Sequence, residues 1–282
     1  MDLKPDSVTT ASASWSERVR LALPDTSADD QGAQRVQEIL RLPISVIEPT
    51  GKPDAQSDYF VLKHVDGCWQ LFPPTSNDAF GRHALCIDFV QNSRFNQPMA
   101  LREPLAKAVG LRANRRPVVI DLTAGLGRDA WALASTGCTV YAFERHPLVH
   151  FLLSDALARA LDETKTKDIA GRIHLYGQDA RDGFPEEIKA DENTVWLLDP
   201  MFPERQKSAL VKKDMRIFHE LVGSDEDSDA LFDWAREQPG GRCVVKRPPL
   251  APSLAGAKPS MSISSGRLRF DCYIKPNPSG AK

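Results

Sequence analysis

The chain has 282 residues, 41% of them hydrophobic and 26% charged, with a formal net charge of −2. These are the proportions of a globular protein with one large domain, or one domain and an appendage, and they argue against a uniformly basic nucleic-acid binder. The charge is nevertheless uneven: Met1 to Asp66 carries 11 acidic and 7 basic residues, and Arg242 to Lys282 carries 8 basic and 1 acidic, so a local basic face is permitted. The five cysteines (68, 86, 138, 243 and 272) are odd in number, widely spaced and without a C-x-x-C pair. That pattern disfavours a disulfide framework or a cysteine zinc site and suits a reducing compartment. The acidic N-terminus lacks the apolar core of a secretory signal, and no run approaches the roughly 18 apolar residues of a membrane span. A cytoplasmic location is the expectation.

Residues 1–33 are rich in Ser, Thr, Asp and Ala around one short apolar piece, Val19 to Leu23, and read as a poorly ordered or partly helical lead-in. Leu42 to Ile47 and Tyr59 to Phe72 read as strands. Asp66-Gly67 sits between two apolar runs and is a two-residue hairpin signal. Ala84 to Val90 reads as a further strand, so 34–92 is expected to be a small β-rich subdomain. Asn92 to Arg116 then holds Arg94, Arg102, Lys107, Arg112, Arg115 and Arg116 against Glu103 alone, with Leu101, Leu105, Ala108 and Val109 at helical spacing. It is either a solvated helix face or a basic surface beside a ligand site.

From Val118 the pattern alternates. Val118 to Asp121 is a buried strand. A loop with Gly125 and Gly127 follows, and then a helix. Thr139 to Phe143, Ile173 to Tyr176 and Val195 to Leu198 are the second, third and fourth strands, with Pro147 opening the helix after the second. Helices are expected at about 206–222 and 228–237, a strand at Cys243 to Val245, and a closing hairpin of Met261–Ser264 and Leu268–Ile274 around Ser265-Gly266. Such alternation builds a parallel sheet with helices on both faces, so 93–282 is expected to be one α/β domain.

Strand, glycine turn and helix form the first half of a nucleotide site. Gly125 and Gly127 permit a sharp turn, and the helix start offers unpaired N–H groups. Gly125-Leu126-Gly127-Arg128-Asp129-Ala130 also fits the dinucleotide pattern G-x-G-x-x-A. Glu144, at the end of the second strand, stands where an acid would accept from a ribose diol, or is a strand-end surface charge. Asp121 tilts the choice: a carboxylate four residues before Gly125 suits a cationic ligand such as S-adenosylmethionine (SAM). The fourth strand ends in Asp199-Pro200-Met201-Phe202-Pro203. There the Asp199 carboxylate and the Pro200 carbonyl can accept from an exocyclic amine, turning its lone pair toward a methyl donor. Phe202 can stack on the base, or pack in the core of a proline-rich turn. Asp179, after the third strand, can accept from an adenine amino group. His146 and His150 lack a third ligand nearby and read as a surface helix pair, so no metal is expected.

These residues resemble the ribosomal RNA small subunit methyltransferase J family. The matching pieces are Asp121 to Ala130, Phe143-Glu144-Arg145, Leu198 to Pro203, Gln206 to Arg216 and Val244 to Pro248, and the likeness covers about residues 84–275. The resemblance implies a Rossmann-like class I SAM methyltransferase sheet of α/β class, mostly parallel with an antiparallel C-terminal hairpin. It implies SAM-dependent methylation of guanine N2 in 16S rRNA. It also implies cofactor contacts at Arg128, Asp129, Glu144, Arg145, Gln178, Asp179 and Asp199, although Gln178-Asp179 departs from the serine-rich form expected there. Lys207, Lys212, Lys213, Arg216, Lys246 and Arg247, with Arg94 and Arg102, are candidates for phosphate contacts with 16S rRNA or the small subunit. Three alternatives remain open: an amino-methyltransferase for another RNA or DNA base, a nicotinamide oxidoreductase, and a non-catalytic rRNA-binding assembly factor.

Overall fold

A computed structural model describes residues 14–24, 31–42, 44–47, 58–77, 80–91, 95, 97–201, 213–223, 225–266 and 268–275; for 23–24, 31–35, 43–47 and 213–215 nothing is drawn from the side chains. In chain order the elements are β1 (Val19–Pro24), α1 (Gln31–Leu40), β2 (Ile44–Ile47), β3 (Phe60–Val65), β4 (Cys68–Phe72), α2 (Pro104–Val109), β5 (Val118–Asp121), α3 (Arg128–Ser135), β6 (Val140–Phe143), α4 (Pro147–Asp162), α5 (Lys167–Ala170), β7 (Ile173–Tyr176), β8 (Thr194–Leu198), α6 (Lys213–Val222), α7 (Ser228–Glu237), β9 (Arg242–Arg247), β10 (Met261–Ser265) and β11 (Leu268–Ile274). They fall into two compact units, 1–85 with 211–222, and 86–210 with 223–282.

The first unit is built on a four-stranded sheet in the order β2-β1-β3-β4. Val19 to Leu23, expected in a poorly ordered lead-in, lies instead in an inner strand, β1, parallel to both β2 and β3. Val19 and Leu21 are fully buried while Arg20 reaches over the Tyr59 ring at 5.3 Å. A strand this short has too few periods to declare itself, and its pairing partners lie 23 and more residues downstream. The β3–β4 hairpin is as expected. Asp66 and Gly67 have φ of 51° and 78°, the two positive values a tight turn of this twist requires.

Ala84 to Val90 is not a strand. Leu85 bridges to Leu71, and Leu85, Ile87 and Phe89 are buried in strict alternation. The period-two signal was real, but it reports a half-buried extended leg, not a ladder. Asp88 ends it by accepting from the Val90 and Gln91 N–H groups at 2.9 and 3.1 Å. Among its described residues the basic stretch yields one helix, the short α2, opened by Pro104 and closed by Gly110 at φ 74°; Leu101 lies outside it, 42% exposed. Of the helix expected at 206–222, Lys213–Val222 is present and groups with the first unit; 206–212 lie outside the described residues.

The second unit holds a seven-stranded sheet in the order β7-β6-β5-β8-β9-β11-β10. Its members from β7 to β9 are mutually parallel. β11 is antiparallel to both β9 and β10, so it alone is reversed. That reversed strand departs from the all-parallel 3-2-1-4-5-6 order of dinucleotide folds. β8 is buried at all five positions because it lies between β5 and β9. Trp196 of β8 packs with Phe143, Phe232, Val245 and Tyr273 in the core and donates to the Pro239 carbonyl at 2.8 Å. Among the described residues no helix is long and apolar enough to cross a membrane.

Candidate active site

The carboxyl ends of β5, β6, β7, β8 and β9 share one edge of the sheet, and the loops that leave them carry the charged residues. After β5 the backbone stays tied to both neighbours: Leu122 N–H donates to Leu197 O and Ala124 N–H to Phe143 O, each at 2.9 Å. Gly125 and Gly127 then turn the chain at φ 53° and 70°. At Gly127 a Cβ would lie 2.5 Å from Leu153 Cδ1 and 3.2 Å from Phe89 Cζ. Its glycine requirement therefore comes from backbone conformation and the packing of the α3 start on α4, not from approach to a ligand. Phe89 in turn stacks on Trp131 of α3, with ring centroids 4.2 Å apart.

Glu144, at the end of β6, is buried and braces this loop. Its two carboxylate oxygens accept from Gly125 N–H at 2.8 Å and His146 N–H at 2.7 Å. Burial pushes its carboxyl up to about 7, against the pull of those two N–H groups. It is not a surface charge.

Four charged side chains from four elements meet beside the loop. Asp121 ends β5 and is 2% exposed, accepting from Thr123 N–H at 3.2 Å. Burial, then the charges of Asp129 and Asp199, push its carboxyl up to about 8. Asp129 lies in the first turn of α3. Asp199 follows β8, and its N–H donates to Thr123 Oγ1 at 2.6 Å. Lys246 of β9 spans the group, with Nζ 2.9 Å from Asp129 Oδ2 and 2.8 Å from Asp199 Oδ2. Burial opposes the Lys246 charge, but the two carboxylates outweigh it and hold the ammonium well above the usual lysine range. Burial raises Asp199 while Lys246 draws it down. Asp129 and Asp199 together exceed Lys246 by one negative charge, and a cation placed beside them would also draw Asp121 toward its ionised form.

A second cluster lies at the ends of β6 and β7 and the start of α7. Arg145 contacts Asp227 twice, at 2.8 and 2.9 Å, and Asp225 at 2.6 Å. Arg181 binds Asp179 through Nε and Nη2 at 2.9 and 2.6 Å and also reaches Asp227. Asp225 extends this cluster to the loop after β8: its Oδ2 accepts from Met201 N–H at 2.7 Å, and its own N–H donates to Met201 O at 3.1 Å.

A family described as "Putative SAM-dependent methyltransferase" matches residues 74–275. A ribosomal RNA small subunit methyltransferase J from Neisseria gonorrhoeae is 38% identical over 261 residues, covering 92% of this chain and 99% of that protein. One of the same designation from Thioalkalivibrio sulfidiphilus is 46% identical over 213 residues, 74% of this chain and 83% of that protein. The chain belongs to the ribosomal RNA small subunit methyltransferase J family. A solved structure of a SAM-dependent methyltransferase from N. gonorrhoeae matches with a TM-score of 0.63 at 32% identity, covering 94% of this chain and 97% of that one. For this methyltransferase J relative the sheet with one reversed strand is thus the SAM-methyltransferase arrangement, as expected.

In this methyltransferase J chain the structure brings together Asp121, Gly125, Gly127, Asp129, Glu144, Pro200 and Asp199 at the strand ends, with Arg128 at the start of α3. Arg145 and Asp179 lie in the second cluster. Both Asp179 oxygens accept from Arg181, which holds this expected acceptor for an adenine amine in place. Gln178 donates to the Gly183 carbonyl. Two expected phosphate contacts have partners within the protein: Lys246 is an ion-paired member of the acidic site, and Arg247, 4% exposed, donates to the Pro252 carbonyl. A basic dipeptide on a strand always sends its two side chains to opposite faces, and here both faces are covered. Phe202, Pro203, Lys207, Lys212 and Arg94 lie outside the described residues; Lys213 and Arg216 are on α6 in the first unit, and Arg102 is exposed before α2. The His146/His150 pair is packed, not superficial: the His146 ring nitrogens are buried, burial pushes that imidazole down to about 4, and the His150 ring lies where a Cβ on Gly177 would be. Thr123, Asp225 and Asp227 were missed. Thr123 sits inside the quoted loop, but the aspartates follow a helix boundary in an ordinary acidic run, with no sequence signal of their target.

Proposed function

We propose that the unit of residues 86–210 and 223–282 transfers a methyl group from SAM to the exocyclic N2 of a guanine in small-subunit ribosomal RNA, in the cytoplasm. The observation that carries this reading is Asp199. It leaves the central strand β8 immediately before Pro200, is anchored to the glycine loop through Thr123, and stands with Asp121 and Asp129 in a cluster with more acid than base. SAM supplies an electrophilic methyl group on a sulfonium. Asp121 and Asp129 are suited to its positive groups, Glu144 to its ribose hydroxyls through the lone pairs its two backbone bonds leave open, and Arg128 and the Gly125–Gly127 turn to its flank. The amine of the guanine donates N–H bonds to Asp199 and the Pro200 carbonyl, with Phe202 against the base. N2 forms the new bond to the methyl carbon, the carbon–sulfur bond breaks with its electrons going to sulfur, and the N2 proton leaves to Asp199 or water. The base must be presented unpaired or extruded for N2 to reach a site at the strand ends. Positioning supplies much of the acceleration for such an in-line displacement.

Arg102 and the run from Lys207 through Lys212, Lys213 and Arg216 are the proposed phosphate contacts, so binding to RNA weakens steeply with added salt. The test is methyl transfer from labelled SAM to small ribosomal subunits, free rRNA and DNA, followed by nucleoside mass spectrometry. N2-methylguanosine from the ribosomal substrates is the expected product. Label confined to another nucleoside, or to DNA, overturns the assignment of the acceptor.

A further inference from the structure

Lys246 was expected to face RNA, and its geometry gives it a different task. β9 is the neighbour of β8, in a register that places Leu198 beside Val245. The next residue on each strand is therefore Asp199 or Lys246, and the ammonium reaches sideways to Asp199 Oδ2 at 2.8 Å while also holding Asp129 Oδ2 at 2.9 Å. The lysine side chain is 17% exposed and the Asp199 side chain 42%, so the aspartate is still open to solvent while its partner is largely enclosed.

We propose that Lys246 is a positioning residue for methyl transfer, which anchors one oxygen of Asp199 as part of an oriented carboxylate and leaves the other, Oδ1, aimed at the substrate amine. This rests on the reading of Asp199 as the acceptor of the guanine N–H. The physical case has three parts. To take the N2 proton Asp199 must be ionised, and it is crowded by Asp121 from β5, Asp129 from α3 and Asp225 ahead of α7, which disfavour its charge; among the described residues Lys246 is the cation that draws it back. A carboxylate pinned at one oxygen and at its backbone N–H, here by Lys246 and Thr123, has lost the rotations that a productive geometry must exclude. Because Lys246 also ties Asp129, the methyl-acceptor strand end and the first turn of α3 share one counter-charge.

The experiment compares Lys246→Met and Lys246→Arg in the full chain with wild type and with Asp199→Asn. The readouts are kcat and KM over pH 6–10 on small subunits and SAM affinity by calorimetry. Expected for Lys246→Met is a fall in kcat of about 10²-fold, the scale of a misoriented proton acceptor, with the acid limb of the kcat profile moved upward in pH. SAM affinity should be unchanged or tighter, because one repelling charge has gone. Lys246→Arg keeps the charge and should restore most of kcat and the original profile. If Asp199→Asn is inactive but Lys246→Met turns over within twofold of wild type with an unmoved profile, the positioning role is wrong while the acceptor role stands. If Asp199→Asn is itself near normal, the acceptor reading falls first. Loss of SAM affinity with unchanged kcat would make Lys246 a cofactor contact and overturn the proposal. Should the Met variant not fold, Lys246→Gln carries the same comparison, and an Arg variant that folds but leaves kcat as low as the Gln variant counts against it.

Discussion

Two clusters of acids and bases occupy the same edge of one sheet, and they titrate in opposite directions. In the first, Asp121, Asp129 and Asp199 meet Lys246, and burial raises the Asp121 and Asp199 carboxyls. In the second, Asp179, Asp225 and Asp227 meet Arg145 and Arg181, and the guanidinium hydrogen bonds hold Asp179 and Asp227 below the usual carboxylate range. The residue types are nearly the same. The difference lies in donor supply and exposure: two forked guanidiniums can satisfy several carboxylates bidentately at a half-exposed site, whereas one ammonium cannot satisfy three acids in a cleft. The first cluster is left short of donors, and in the second each of the three acids has an arginine partner.

Substitutions should separate the two. The largest effect is expected from Asp199→Ala, which removes the proposed acceptor: transfer should fall by about 10²–10³-fold or more while circular dichroism stays that of wild type. Near-normal turnover would return the acidic pocket to a structural role. Asp225→Ala comes next. It frees Met201, two residues beyond Asp199, so kcat should drop roughly tenfold, with SAM affinity by calorimetry within about twofold of wild type. An affinity loss matching the kcat loss would mean that the second cluster also binds cofactor.

The pH dependence of folding has opposite signs at the two sites. Asp121 and Glu144 are raised to about 8 and about 7, so the stability their neutral forms contribute is complete below the ordinary carboxylate range near 4 and is lost as pH rises through 7 to 8. Asp179 and Asp227 are lowered, so their contribution is present above that range and is lost as pH falls below it. Asp121→Asn should therefore flatten the fall in stability between pH 6 and 9 by about 1 kcal/mol or more in urea unfolding. An unchanged slope would show that Asp121 is ionised in the free protein. The smallest effect belongs to Asp227→Asn. Its side chain is 37% exposed, so the loss at pH 7 should be roughly 1 kcal/mol or less and shrink in 1 M salt.

The chain from Val118 to Leu198 was legible almost residue by residue, because buried parallel strands and glycine-bearing turns are written in contiguous runs. Asp121, Glu144 and Asp199 could be picked out because each ends a strand. Thr123, Asp225 and Asp227 could not: what they do depends on partners 76, 24 and 82 residues away. The misreadings have the same origin. β1 looked like a lead-in because its partners come later, and 84–90 looked like a strand because alternation reports burial on one side and is silent about pairing.

By itself, then, the sequence determined the order of the strands from β5 to β9, the sharp turn at Gly125–Gly127 and the placing of an acid at the end of β8, since each is settled by neighbours along the chain. Only the tertiary structure decided that Lys246 belongs to the acidic pocket and Arg247 to the interior. Charge on a strand has no direction until the sheet sets which residue stands beside it, and that register, Leu198 against Val245, brings Lys246 to Asp199.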